Sequence, residues 1–117
     1  MVAALGIDCR KYNLEAFMYL SHGTLSVPAA HIADVRQLLT QVASATRQES
    51  GCLLYLVSEQ LEHPGEFIIS EQWDSLEAMQ THLAQPAVGE AVAAVHGMGV
   101  SDLTITAWEA GQETKVM

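Results

Sequence analysis

The segment from Gly51 to His82 constrains the fold of this chain more than any other. It reads Gly-Cys-Leu-Leu-Tyr at the start of an apolar run, then a Pro-Gly pair, then Phe-Ile-Ile-Ser-Glu-Gln-Trp ending at Trp73. Pro-Gly between two apolar runs is a strong turn signal. A helical pattern opens directly after Trp73 and carries His82 nine residues later. The segment therefore predicts a β-hairpin followed by an α-helix.

Further elements flank this unit. Residues 17–27 are rich in aromatic and β-branched residues and predict a strand, and residues 103–108 predict another. Between the first strand and Gly51, apolar residues recur with a helical period, at Ile32, Val35, Leu38, Leu39, Val42 and Ala45. Pro86 divides the region after the hairpin into two helical segments, the first with the capping-box spacing Asp74-Ser75-Leu76-Glu77 and Asp74 as its N-cap. The order βαββαβ predicts an α+β ferredoxin-like fold with a four-stranded antiparallel sheet.

The two hairpin strands, residues 52–58 and 67–73, carry apolar residues on both sides. Helices on one face of the sheet would cover only one of these sides. A strand that is apolar on both sides is expected to be covered on both, and a chain of 117 residues has nothing left for the second face. The pattern therefore predicts a homodimer in which two sheets pack together.

Composition excludes several classes of function. The net charge of −9 argues against a nucleic-acid partner and an anionic membrane surface. Two cysteines, Cys9 and Cys52, do not make a disulfide framework, and no paired His or Cys spacing predicts a metal site. Neither a signal peptide nor a membrane span is evident, so a cytoplasmic location is expected.

The order and spacing of these motifs resemble the antibiotic biosynthesis monooxygenase family. The motifs are G-C-L-x-Y ending at Tyr55, F-x-x-x-E-x-W ending at Trp73, and a His on the following helix, and the resemblance covers about residues 20–109. It implies a dimeric α+β barrel built from ferredoxin-like subunits. Residues 1–15 then form an N-terminal extension that we expect to be dispensable for the fold, residues 16–110 the domain, and residues 111–117 a tail.

His82 is the predicted catalytic residue. It borders the apolar stripe of its helix, where an imidazole can act as a base or hold a ligand near neutral pH. The alternative is a structural role in which His82 bonds a strand carboxylate, with Glu71 the nearest choice. Both interpretations are open at the level of the sequence.

Four further residues are predicted to bind substrate. Glu71 and Trp73 share one side of their strand, and Tyr55 lies opposite to its neighbours Leu54 and Leu56 on the preceding strand. His22 lies in the middle of the first strand beside a glycine that permits close approach. Structural alternatives exist: Glu71 and Trp73 can fasten the hairpin to the helix, and Tyr55 can pack at a dimer seam.

The resemblance implies a cofactor-independent monooxygenase that deprotonates a small phenolic or quinol-type substrate, whose anion then reduces O2. No nucleotide-binding motif such as G-x-G-x-x-G is present. Some family relatives degrade haem, using an Asn on the first strand and a His on the second helical segment. Here the first strand reads Leu-Ser-His-Gly, and Val92 aligns with the ligand, one turn before His96. The alternatives are a non-catalytic ligand-binding or structural dimer and a non-oxidative isomerase or lyase.

Overall fold

The computed structural model describes residues 17–117, and the predicted N-terminal extension lies outside this range. The predicted order βαββαβ is confirmed. The elements are β1 (Met18–Ser26), a short 3-10 turn (Ala29–His31), α1 (Ile32–Thr46), β2 (Cys52–Glu59), β3 (Glu66–Trp73), α2 (Leu76–Leu83), α3 (Pro86–Gly97) and β4 (Thr104–Ala110).

The four strands form one antiparallel sheet in the order β2-β3-β1-β4. Its register aligns Tyr55 of β2, Glu71 of β3 and Ser21 of β1 in one row. Successive side chains of a strand point to opposite faces, so this row lies on the face that the helices cover. Apolar side chains of the same face, Leu25, Phe67, Ile69 and Trp73, make the core with helix residues that include Val35 and Leu39 of α1. The row thus places three polar side chains inside an apolar layer.

Gly51 brings the end of the α1–β2 connection against α2. Its φ is +84°, and a Cβ at this position would lie 2.5 Å from both Oδ1 of Asp74 and Cβ of Ala78. Only glycine adopts this conformation without strain, and no side chain fits the contact. The backbone N–H of Asp74 also donates to the carbonyl oxygen of Gly51 at 2.9 Å. The residues just before Gly51 are therefore held near α2.

The N-cap of α2 is one residue later than predicted. Ser75, not Asp74, is the cap, and its hydroxyl oxygen accepts a 3.0 Å hydrogen bond from the N–H of Ala78. Ser75 has the extended backbone that an N-cap requires. The Asp74 N–H is instead used in the contact with Gly51.

The second face of the sheet is uncovered in a single chain. Large side chains that point to this face are exposed, among them Leu20 of β1, Leu56 of β2 and Trp108 of β4. Polar and apolar residues are mixed on this face. Across residues 17–117, no helix is long and apolar enough to cross a membrane.

Candidate active site

A cavity lies between the covered face of the sheet and the three helices. Its lining is aliphatic except for Tyr55, Glu71 and His82. The cavity volume is about 60 Å³, smaller than the roughly 150 Å³ that holds a benzene molecule in a protein core. Two lining side chains are about half exposed, Leu83 at 49% and Ile105 at 44%. The part of the lining nearest to solvent therefore lies at the end of α2 and on β4.

His82 is buried on α2 and is held at one ring nitrogen. Its Nδ1 lies 2.9 Å from Oε2 and 3.2 Å from Oε1 of Glu49. The amide of Gln85 donates to Oε1 of Glu49 at 2.8 Å. A carboxylate can only accept hydrogen bonds, so the contact with Glu49 is a hydrogen bond when Nδ1 of His82 carries the proton. The other nitrogen, Nε2, is left with a lone pair in the neutral ring.

Two aromatic rings fix the plane of the His82 imidazole. The Trp73 ring is tilted by 32° to it, with ring centroids 4.9 Å apart, and the Tyr55 ring meets it edge-on at 5.7 Å. All three side chains are buried. An imidazole held by two rings and by a carboxylate is restricted in rotation, which is a requirement for a positioned base.

Glu71 does not bond His82, so the predicted structural partner of His82 is corrected to Glu49. The Glu71 carboxylate accepts one hydrogen bond from Trp73 Nε1 at 2.9 Å and one from Ser21 Oγ at 3.0 Å. Both donors lie on the covered face, and Glu71 is buried between them. Burial of a carboxylate is tolerated when donors satisfy it. Glu71 thus borders the cavity with both of its oxygens already engaged.

The Tyr55 hydroxyl and Nε2 of His82 are the free polar atoms of the cavity. Neither has a hydrogen-bond partner within residues 17–117, although every fully enclosed side-chain nitrogen or oxygen there is paired. Both atoms therefore keep some accessible surface, and both belong to side chains that line the cavity. Burial raises the pKa of the Tyr55 phenol far above its ordinary value of 10, and the nearby Glu71 and Glu49 add to the rise. The phenol remains a hydrogen-bond donor throughout the physiological range.

The structure brings together four of the five predicted site residues. Tyr55, Glu71 and His82 line the cavity, and Trp73 lies behind His82 as a support and not as part of the cavity wall. His22 is on the opposite, uncovered face, where it is the register partner of Ser70. Strand alternation puts its neighbour Ser21 on the cavity side.

Glu49 and Gln85 were not evident from the sequence. Glu49 lies in the connection between α1 and β2, and 33 residues separate it from His82. The signal that could have found it is the Gly-Cys motif itself, because a glycine with positive φ brings the residues before it against α2. Nothing in the spacing identifies which of Gln48, Glu49 and Ser50 points inward.

The described chain shows no haem-like ligand arrangement at the predicted positions. Val92 lines the cavity, and Nδ1–H of His96 donates to the carbonyl oxygen of Val100 at 2.7 Å. No group of three or more His, Cys, Asp or Glu side chains with metal-binding geometry occurs between residues 17 and 117.

Comparison with known proteins agrees with the geometry. The crystal structure of a candidate antibiotic biosynthesis monooxygenase from Deinococcus radiodurans superposes on this chain with a TM-score of 0.83. The two sequences are 57% identical, and the match covers 85% of this chain and 98% of that one. A second, from Caulobacter crescentus CB15, is 23% identical with a TM-score of 0.76, covering 88% and 99%. A Mycobacterium tuberculosis protein is 21% identical with a TM-score of 0.75, covering 84% and 99%. The last two similarities show the fold alone.

No curated protein matches the sequence significantly. Residues 18–94 match the family described as antibiotic biosynthesis monooxygenase, about two-thirds of the chain. The match spans the site residues Glu49, Tyr55, Glu71, Trp73 and His82, and it agrees with the resemblance seen in the motifs. The chain belongs to the antibiotic biosynthesis monooxygenase family.

Proposed function

We propose that this protein is a cofactor-independent monooxygenase that oxidises a small phenol or hydroquinone with O2. The observation that carries the proposal is the His82 ring, which lines an apolar cavity and contacts Glu49 at Nδ1, while its Nε2 has no hydrogen-bond partner within residues 17–117. A neutral imidazole with one nitrogen anchored and the other free is the form that accepts a proton from a bound hydroxyl. Membership of the family supports the same reaction class.

His82 acts as the general base in this proposal. Its Nε2 takes the hydroxyl proton of the substrate, and the phenolate forms beside the imidazolium. The Tyr55 hydroxyl donates a hydrogen bond to the phenolate oxygen, because its raised pKa keeps its own proton in place. The aliphatic remainder of the lining excludes water, and fixed donors in a dry site stabilise a developing anion more strongly than water does.

The electron-rich phenolate then reduces O2 without a redox group on the protein. Electrons pass from the anion to O2, and a C–O bond forms at a ring carbon that bears hydrogen, which gives a peroxide. The peroxide takes the proton held by His82. Loss of that carbon's hydrogen as a proton and cleavage of the O–O bond release water. One phenol and one O2 become one quinone and one water, so atoms and electrons balance.

The charge of the site selects a neutral substrate. Among residues 17–117, none that lines the cavity is Lys or Arg, whereas Glu71 lines it and Glu49 lies behind His82. Proton transfer from a neutral phenol to a neutral imidazole creates an ion pair with no change in net charge. A substrate with its own carboxylate brings an uncompensated negative charge into an apolar space, which is costly.

The proposed enzyme is a homodimer that covers the second face of its sheet. Leu20, Leu56 and Trp108 point to this face and are exposed in one chain. A patch of exposed large apolar residues on a flat sheet is typical of a protein interface. In this arrangement His22, which also points to this face, lies at the subunit seam and not in the cavity.

Oxygen uptake tests the proposal. Purified protein is supplied with a panel of single-ring phenols and hydroquinones while dissolved O2 is recorded, with His82→Asn as the matched control. We expect catalysed uptake for at least one neutral compound and a loss of about 10²- to 10⁴-fold in the variant, the usual contribution of a general base. Uptake that is equal in the two proteins would contradict the proposal.

A non-oxidative isomerase uses the same pair of groups and is the second candidate. The observation that favours it is the proximity of a protonated phenol to a base, with the Tyr55 and His82 ring centroids 5.7 Å apart. A base and a neutral donor together catalyse removal of a proton beside a carbonyl. Exchange of substrate hydrogen with deuterium from solvent in the absence of O2 identifies this reaction.

A further inference from the structure

We infer that Glu49 is a positioning residue that holds the neutral His82 imidazole in the tautomer protonated at Nδ1, and so keeps the Nε2 lone pair directed to the cavity. The inference deepens the proposed function and, for its effect on turnover, rests on it. The effect of Glu49 on the imidazole is independent of the proposed function, because the tautomer can be observed without a substrate.

The distances show that Glu49 is well placed for this role. Its carboxylate approaches Nδ1 of His82 with both oxygens, at 2.9 and 3.2 Å, and its side chain is only 16% exposed. In water the free imidazole exchanges between two tautomers, and which one is present in a protein is set by the bond that one nitrogen makes. A carboxylate beside Nδ1 favours the proton on Nδ1 and leaves Nε2 unprotonated.

Gln85 fixes the orientation of the Glu49 carboxylate. Its amide NH2 donates to Oε1 of Glu49 at 2.8 Å, and it lies just after α2, where the chain turns into α3. The carboxylate is therefore held between two donors, the Gln85 amide and the His82 ring. Glu49 is itself kept in place by the loop before Gly51, whose contact with Asp74 and Ala78 admits no side chain.

This geometry predicts an unusual effect of Glu49→Gln. The new amide has one carbonyl oxygen, and the Gln85 NH2 still requires an acceptor. With the Gln85 amide oriented as in the structure, the carbonyl turns to Gln85, and the new NH2 group faces Nδ1 of His82. An NH2 group donates, so Nδ1 must become the acceptor and the proton moves to Nε2. The variant keeps its shape but presents an N–H, instead of a lone pair, to the cavity.

Two other titratable groups, Tyr55 of β2 and Glu71 of β3, line the same cavity, and Cys52 at the start of β2 lies near Glu49 and Glu71. The Glu71 oxygens are engaged by Ser21 and Trp73. Tyr55 stays protonated because burial raises its pKa. The residues that α3 contributes to the lining are aliphatic. Within residues 17–117, Glu49 is thus the group that contacts Nδ1.

The test is long-range ¹H–¹⁵N NMR of the histidine side chains in the full chain, at a pH where titration shows His82 to be neutral. His82→Asn identifies its signals among the five histidines. We expect Nδ1 protonated in the wild type and in Glu49→Asp, and Nε2 protonated in Glu49→Gln. Glu62→Gln, which removes the same charge from an exposed turn, serves as the control and should behave as the wild type.

The values of kcat and KM distinguish a positioning role of Glu49 from a purely structural one. With a substrate from the oxygen-uptake panel, Glu49→Gln should lower kcat by about 10²-fold or more while KM changes little, because the lost interaction acts on proton transfer. Glu49→Asp should restore part of the rate. A wild-type protein with Nε2 protonated, or a Glu49→Gln variant that keeps Nδ1 protonated, would overturn the inference. If the tautomers are as expected but no compound supports oxygen uptake, the positioning role of Glu49 is upheld and the proposed monooxygenase activity is rejected.

Discussion

The indole Nε1 of Trp73 donates a 2.9 Å hydrogen bond to Oε1 of Glu71, two residues earlier on the same strand. The two side chains share the covered face, and Ser21 of β1 completes the arrangement by donating to Oε2. The same Trp73 ring lies against His82. The E-x-W motif of β3 thus acts as a brace that supports the His82 ring and connects two strands.

The brace can be tested by two substitutions that remove the same charge. Glu71→Gln retains an acceptor for Trp73 and can donate to the Ser21 oxygen. Glu71→Leu leaves the buried Trp73 N–H without a partner, which costs about 1–3 kcal/mol. We expect Glu71→Leu to be less stable than Glu71→Gln by this amount in urea unfolding. Equal stabilities would show that the hydrogen bond from Trp73 contributes nothing.

His82→Asn separates the two interpretations that the sequence left open. The Asn amide can donate to Glu49 in place of Nδ1, and no base remains at the cavity. We expect a change in unfolding free energy of less than about 1.5 kcal/mol, the net value of a typical hydrogen bond, together with the loss of oxygen uptake. Thermal melting and uptake are measured on the same preparation. A large loss of stability with unchanged uptake would make His82 a structural residue.

Alkaline pH provides a test of the Tyr55 environment. Burial raises the pKa of Tyr55, so the unfolded chain ionises this phenol at lower pH than the folded one does. The stabilisation is fully present below about pH 10 and is lost as the pH rises from there toward the folded pKa. Tyr55→Phe should therefore flatten the decline of stability above about pH 10. Tyr19→Phe, a half-buried phenol of β1, is the control.

The sequence predicts the element order because each element has its own local signal. Alternation and apolar runs identify the strands, the helical period identifies α1, and Pro86 divides the last two helices. Alternation along one strand also predicts that Glu71 and Trp73 share a side, but the position of Tyr55 beside Glu71 depends on the β2–β3 register. The predicted pocket position of His22 is wrong because the β1–β3 register aligns Ser21, and not His22, with Glu71.

The partner of His82 could not be predicted in the same way. Glu71 and Glu49 are both acidic residues upstream of His82. Strand alternation gives the face on which Glu71 lies, but it says nothing about Glu49, which lies in a connection. The choice depends on the Gly51 turn, which brings Glu49 to α2, and on Ser21 and Trp73, which already engage Glu71. These are relations between elements that no local pattern contains.

The proposed preference for neutral substrates has a direct test. A phenol and its ring-carboxylated analogue differ mainly in charge, and the cavity lining contributed by residues 17–117 contains no Lys or Arg. We expect kcat/KM for the neutral compound to exceed that of the carboxylated one by about 10²-fold or more, because each 1.4 kcal/mol of desolvation cost is tenfold. Equal values at matched pH would show that the substrate's charged group stays outside the cavity.

The proposed homodimer predicts that a charge on the uncovered face separates the subunits. Leu20 is 37% exposed and pairs in register with Gln72 and Trp108, near the middle of that face. Leu20→Glu should leave the fold of each subunit intact. It places an unpaired carboxylate from each chain at the seam, a cost of several kcal/mol per dimer. The dissociation constant of the dimer should therefore rise by about 10²-fold or more.

Leu61→Glu, at a hairpin position that is 97% exposed, is the control and should remain dimeric. Sedimentation equilibrium at micromolar concentration distinguishes the two, and a wild-type protein found only at 12.7 kDa would reject the homodimer.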